Sequence, residues 1–79
     1  MNQLIHIFEL EGVDRVACGH IPPEFSAQCQ PGTVKILAVT AHRPVLHGAA
    51  IGRTGAVIIR YAHKDSIKFT VAVCGLPKE

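Results

Sequence analysis

The 79-residue chain has few charges, few aromatic residues and no long apolar run. Charged residues make up only 18% and hydrophobic residues 48%, which is unlike the composition of a disordered chain. The longest apolar stretches, around residues 36–39 and 56–59, are far short of the roughly 20 residues that a membrane-spanning helix needs. The composition therefore predicts a folded chain with no membrane partner.

A full set of paired cysteines and a secretory leader are also missing. Three cysteines cannot all pair within one chain, because the number is odd. The first residues run directly into strand-like sequence, without the basic segment, apolar stretch and small-residue cleavage site of a signal peptide. We therefore expect a cytoplasmic protein with reduced thiols.

The net charge of +2 is small but unevenly distributed. Residues 1–32 carry one basic and four acidic side chains, whereas residues 33–79 carry seven basic and two acidic ones. This asymmetry fits either an anionic partner or attraction between the two halves, within one fold or between subunits. The second interpretation is favoured, because a dedicated nucleic-acid-binding domain usually has a larger basic excess.

The strand pattern is the strongest signal in the sequence. No segment keeps a 3.6-residue apolar period over eleven positions, so an all-β chain is predicted, with one domain over residues 1–79. The predicted architecture is a small antiparallel β-barrel or β-roll of five to six strands. Strands are predicted at residues 4–10, 13–18, 33–41, 45–47, 56–62 and 67–73. The residues between the first two strands and between the last two predict hairpin turns.

Two irregular connections interrupt the strands. The first spans residues 19–32, where Pro22 and Pro23 favour one short helical turn near residues 23–29. The second is a glycine-rich segment at residues 48–55, which is predicted to be a flexible loop.

Residues 33–41 and 55–63 are apolar at nearly every position, which predicts that both of their alternating faces are covered. A domain of this size buries only about 60% of the surface of its unfolded chain. We therefore predict a homo-oligomer, in which the chain acts as a self-associating binding module. The predicted interface residues are Leu37, Val39, Val57, Ile59 and Tyr61.

Anion or nucleic-acid binding is a second hypothesis. Residues 47–54 partly match a phosphate-binding loop, but His47 replaces its first glycine, Arg53 replaces its lysine, and a strand follows where a helix should begin. Glycine N–H groups beside an arginine can still hold an anion. The candidate residues are Arg43, Gly48, Gly52, Arg53, Gly55 and Arg60. With only three phenylalanines and one tyrosine, the chain offers little surface for stacking nucleic-acid bases.

A structural zinc ion is a third hypothesis. Cys18, His20 and Cys29 flank the first irregular connection, and zinc can replace core that a small domain lacks. Their spacing departs from the paired ligands of ordinary zinc sites, and no other cofactor is predicted. The sequence has five histidines but no recognisable nucleophile motif, so an enzymatic role is not favoured.

Overall fold

The computed structural model describes residues 2–78, in which the chain forms six β-strands and one short helix. The elements are β1 Leu4–Gly12, β2 Val16–His20, α1 Pro23–Ala27, β3 Lys35–Ala41, β4 His47–Ile51, β5 Ala56–Tyr61 and β6 Ile67–Gly75. The predicted all-β class and the short helical turn are confirmed. In the described residues no helix has the length and apolarity to cross a membrane.

The strands of residues 2–78 form two antiparallel three-stranded sheets, which do not close into a barrel. The first, the β6 sheet, has the order β1-β6-β3, and the second, the β5 sheet, has the order β2-β5-β4. Strands β5 and β6 are the two central strands. Each sheet therefore keeps two edge strands, which a closed barrel would have paired.

The inward faces of β5 and β6 form a single core between the sheets. Strand β6 alternates as predicted, so that its inward residues are nearly inaccessible while Lys68 is exposed. Strand β5 behaves in the same way, and the rings of Tyr61 and Phe69 meet with centroids 5.3 Å apart. The buried residues of the two central strands are Val57, Ile59, Tyr61, Ile67, Phe69, Val71 and Val73.

Both predicted hairpins are wrong in their pairing. Strand β1 pairs with β6 and strand β2 with β5, and the two are joined only by the bridge between Val13 and Val16. Residues 63–66 likewise carry the chain from one sheet to the other. Each connection crosses between the layers because consecutive strands bury their apolar faces against each other. A two-residue period predicts which face is buried but not which strand lies alongside.

The turn between β1 and β2 lies at Asp14 and Arg15, not at the predicted Glu11-Gly12. Both residues have positive φ, 49° and 75°, as in the two-residue turns that match strand twist. Gly12 has a different role, because a Cβ there would lie 2.5 Å from Cε1 of Tyr61. The Tyr61 ring cannot easily retreat, since its hydroxyl donates to the carbonyl of Asp65 at 2.9 Å.

A β-bulge explains the apolar pattern of β3. Ile36 pairs with Val73 and Ala38 pairs with Ala72, so that Leu37 is an extra residue in the ladder. The extra residue reverses the inward and outward phase along the strand. Residues before and after the bulge consequently both pack on the same core. If the two-residue period is assumed to continue through the bulge, the same residues are assigned to two different covered faces.

Most of the predicted loop at residues 48–55 is strand. Strand β4 runs from His47 to Ile51 as an edge of the β5 sheet, and only residues 52–55 form the turn into β5. The small residues of this segment have low strand propensity. Hydrogen bonding to β5 and the packing of the His47 ring on Phe69, with centroids 5.5 Å apart, override that propensity.

The connection of residues 21–34 closes one end of the two sheets. Helix α1 begins at Pro23, because proline is favoured at the first position of a helix, and Phe25 is buried in the core. The N–H of Ile21 donates to the carbonyl of Gly55 at 2.9 Å, and the N–H of Gln30 donates to that of Leu76 at 2.8 Å. The connection is thereby attached to the β4–β5 turn and to the C-terminal segment.

The close approach of Gly12 to Tyr61 predicts that substitution by alanine destabilises the chain at Gly12 but not at Gly48. Gly12→Ala should lower the free energy of unfolding by about 1–3 kcal/mol, because the added methyl meets a fixed ring. The matched control is Gly48→Ala, whose added Cβ has nothing within 4 Å. We expect the control to leave stability unchanged or raise it by up to about 1 kcal/mol. Urea denaturation would measure both, and equal effects would contradict the packing role of Gly12.

The positive φ of Arg15 predicts a stabilising substitution. Arg15→Gly should raise the free energy of unfolding by about 1 kcal/mol, because a non-glycine residue in this region is strained. The ion pair that it loses, with Asp14 at 3.2 Å, is exposed and contributes little. Arg53→Gly, at an arginine outside the positive-φ region, should instead lower stability by about 0.4–1 kcal/mol. Thermal unfolding of the two variants would test this difference in sign.

Candidate functional site

The predicted interface residues mostly lie inside the chain's own core. Val57 and Ile59 are fully inaccessible and Tyr61 is 5% exposed, so one copy of the chain already covers them. Val39 is partly buried against the same core. Leu37, the bulge residue, is the exception at 54% exposed. Of this set, only Leu37 presents a large apolar side chain on the surface.

Exposed apolar surface is found elsewhere in the fold. The large apolar side chains that are exposed among residues 2–78 are Ile5, Ile7, Val13, Val16, Leu37, Leu46 and Ile58. Ile5, Ile7 and Leu37 belong to the two edge strands of the β6 sheet. Val16 and Ile58 are on the β5 sheet, and the other two lie in connections. The β6 sheet therefore has the larger group of exposed apolar side chains.

The outer face of the β6 sheet has an apolar half and a polar half. Ile7 lies level with Ala72 on β6 and Ala38 on β3, and these three residues form one row across the sheet. Together with Ile5 and Leu37 they form what we call the apolar patch, and the exposed Lys35 borders it, because it lies level with Ile5 across Cys74. The next rows along the strands are polar: Glu9, Thr70 and Thr40, and then Glu11 and Lys68.

A group of side chains around His42 in the polar half, which we call the histidine cluster, resembles a catalytic triad but lacks its geometry. Nε2 of His42 lies 2.8 Å from Oγ1 of Thr70 and 3.8 Å from Oε2 of Glu9. In a nucleophile–histidine–acid triad, the acid and the nucleophile bind different ring nitrogens. Here both approach the same nitrogen, and His42 and Glu9 are roughly half exposed. The cluster is a surface polar network without a relay from the acid to the hydroxyl.

The predicted anion-binding arginines are not brought together. Arg43 forms an ion pair with Asp65 at 3.3 Å, near the end of β5, whereas Arg53 lies in the turn that precedes β5. The six residues of β5, at about 3.3 Å per residue, separate these two ends. Arg60 lies level with Val16 and Gly48 in the β5 sheet. The three arginines therefore form no common basic surface.

The glycines of the same hypothesis do not form an anion-binding concavity. The N–H of Gly52 donates to the carbonyl of Ala56 at 2.8 Å, and the N–H of Gly55 donates to the carbonyl of Gly52 at 3.1 Å. Gly48 lies within strand β4. The N–H groups of Gly52 and Gly55 thus stabilise the turn itself.

The predicted zinc ligands are dispersed. Cys18 is exposed and lies level with Ile58 in the β5 sheet, and His20 is exposed at the end of β2. Cys29 is 2% exposed, and its thiol donates to the carbonyl of Phe25 at 3.4 Å. Across residues 2–78, no group of three or more His, Cys, Asp or Glu side chains is placed to hold a metal ion.

A cavity of about 400 Å³ lies between the β4–β5 turn and the connection of residues 21–34. Its apolar lining comes from Ile21, Val34 and Ile51, and Ser26 and Thr54 contribute hydroxyl groups. Arg53 is the only charged residue among the described residues that line it. The cavity contains one residue of the predicted anion site, Arg53, in surroundings that the sequence pattern did not identify.

Comparison with known proteins identifies no relative. No protein-family model, curated protein or solved structure matches the chain. The apolar patch and the Arg53 cavity are therefore the features from which a function can be inferred.

Proposed function

We propose that the chain is a self-associating β-domain that forms a two-fold dimer through the apolar patch of Ile5, Ile7, Leu37, Ala38 and Ala72. The observation that carries the proposal is the exposure of Ile5, Ile7 and Leu37, which is 57%, 63% and 54%. Single exposed apolar residues are normal on protein surfaces, whereas a contiguous group indicates an interaction site.

The overall dimensions of the chain support the proposal that a partner covers part of its surface. The accessible surface is 5322 Å², compared with about 4,700 Å² for a compact monomer of this mass. The radius of gyration is 12.9 Å, compared with about 11.6 Å for a chain of this length. The extents of 43 × 21 × 16 Å describe a long, thin body, which gains burial most effectively by pairing along a flat face.

Charge complementarity favours a second copy as the partner. On the β6 sheet, the edge strand β1 carries Glu9 and Glu11 in its outward rows, while His42 and Arg43 follow the opposite edge strand β3. A two-fold axis along β6 lays β1 of each copy over β3 of the other, so that every contact occurs twice. Glu11 then faces His42 and Arg43 of the partner, where Arg43 already forms an ion pair with Asp65 of its own chain.

The same arrangement also matches the shapes of the apolar residues. With the axis along β6, Ile7 of one copy lies over the row of Ala38 in the other, so that a large side chain meets a small one. Such alternation lets two faces interdigitate at the spacing of packed sheets, about 10 Å.

The size of the face predicts a weak dimer. Three strands of nine, nine and seven residues, spaced about 4.8 Å apart, cover a plan area of about 400 Å². A stable interface of standard size buries about 800 Å² of accessible surface on each partner. We therefore expect association in the micromolar range between monomers that are already folded, because the core is complete within one chain.

The first test is a charge placed in the centre of the apolar patch. Ile7→Lys should weaken dimerisation by at least 100-fold, because the two-fold axis buries the substituted position twice. The matched control is Ile58→Lys, at a residue 41% exposed on the other sheet, which should dimerise like the unchanged chain. Sedimentation velocity between about 10 µM and 1 mM would measure both. An unchanged chain that remains an 8.5 kDa monomer at 1 mM would remove the proposal.

The second test concerns the direction of the axis. Glu11→Lys should weaken the dimer by about 3–10-fold at low salt, since it places a positive charge against the partner's His42–Arg43 segment. The effect should shrink in 0.5 M salt, where the charges are screened. Ala50→Lys, on edge strand β4 of the β5 sheet, adds a positive charge to the other sheet and should have no effect. Equal weakening by the two substitutions would contradict an axis along β6.

A further inference from the structure

We propose that the cavity beside the β4–β5 turn binds a small organic carboxylate with a short apolar body. Arg53 would bind the carboxylate group, while Ile21, Val34 and Ile51 would pack against the apolar part. A volume of about 400 Å³ is within the range of small-molecule sites. The proposal is independent of dimerisation, because none of the lining residues belongs to the apolar patch.

The electrostatics of the cavity favour an anion. No aspartate or glutamate of residues 2–78 lines it, and none lies within ion-pair distance of the Arg53 guanidinium. Arg43, by contrast, is paired with Asp65 at 3.3 Å. A guanidinium matches the planar carboxylate group in both charge and geometry, because it can donate two parallel hydrogen bonds.

The backbone favours a carboxylate over a phosphate. Phosphate sites generally surround the anion with several free backbone N–H groups, as at a glycine-rich loop that opens a helix. Here the N–H groups of Gly52 and Gly55 are used within the turn, and the strand β5 follows it. The side-chain donors that remain suit the two oxygens of a carboxylate better than the three oxygens of a phosphate. A bare inorganic ion would also make no contact with the apolar lining.

Both walls of the cavity are held in place without a ligand. The turn wall is stabilised by its own hydrogen bonds, and Gly55 has a φ of +84°, which favours glycine at that position. On the opposite wall, the hydroxyl of Thr33 donates to the carbonyl of Gln30 at 2.7 Å. The side chain of Gln30 donates to the carbonyl of Pro77 at 3.1 Å. A preformed site loses little affinity to ordering on binding.

The experiment is an NMR titration of the full chain, labelled with ¹⁵N, using sodium hexanoate and sodium benzoate. We expect saturable shifts of the amide signals of Gln30 and of residues 32–34 and 51–55, with a dissociation constant on the order of 1 mM, as suits about eight to nine heavy atoms. Hexan-1-ol, which lacks the charge, and inorganic phosphate, which lacks the apolar body, should each bind at least 10-fold more weakly.

Variants connect the binding to Arg53. Arg53→Gln should weaken hexanoate binding by at least 10-fold, whereas Arg60→Gln, at an arginine outside the cavity lining, should leave it unchanged. The spectrum of each unliganded variant shows whether it is folded. Equal binding of phosphate and hexanoate, equal binding of hexanol, or binding that survives Arg53→Gln would each overturn the proposal.

Discussion

The tilted contact between the rings of Tyr61 and Phe69, at a centroid distance of 5.3 Å, lies where the central strands of the two sheets face each other. Both rings are buried, and the apolar residues two and four positions away along each strand extend the same contact. Every other element is placed by this contact. The edge strands align on β5 and β6, and the connections cross between layers because each central strand must face the other. Gly12 gives the Tyr61 ring the space it needs, and the carbonyl of Asp65 holds its hydroxyl.

One shared core leaves the outer faces of both sheets without cover. Larger domains cover such faces with helices or further strands, whereas the one helix within residues 2–78 is the five-residue α1. That helix closes one end of the core through Phe25 and does not cover a sheet face. The apolar patch on the β6 sheet is therefore left exposed on an outer face. The proposed self-association would cover this patch with the same face of a second copy.

The two proposed sites lie on different parts of the molecule. The apolar patch occupies the flat face of the β6 sheet, whereas the Arg53 cavity is formed by the connections at the end of the β5 sheet. Sheet faces offer area but little concavity, and connections offer concavity and unpaired polar groups. A flat face suits a second copy, and a cavity between connections suits a small molecule. The histidine cluster on the β6 sheet has neither the burial nor the geometry for chemistry.

Alternation along the chain is sufficient to predict that the chain is all β, that β6 buries the face of Phe69 and Val71, and that a short helix follows Pro22-Pro23. Leu37 is predicted to be an interface residue because of the apolar run at residues 33–41, and Arg53 an anion-binding residue because of the glycine-rich segment. These features depend on residues close together in sequence, where the two-residue period and proline geometry act directly. The prediction missed Ile5 and Ile7, although their alternation with Leu4 and Phe8 is a signal that they face outward.

Strand pairing, the bulge and the cavity could be established only from the folded chain. Hydrogen bonds between strands join residues that are far apart in sequence, and the side-chain period is the same whichever strand lies alongside. For that reason the apolar pattern of residues 33–41 suggested a second covering layer, when an extra residue at Leu37 turns both halves toward one core. The surroundings of Arg53 likewise come from two distant segments. Local residue types thus determine strands and faces, whereas the burial of a shared core determines which segments meet.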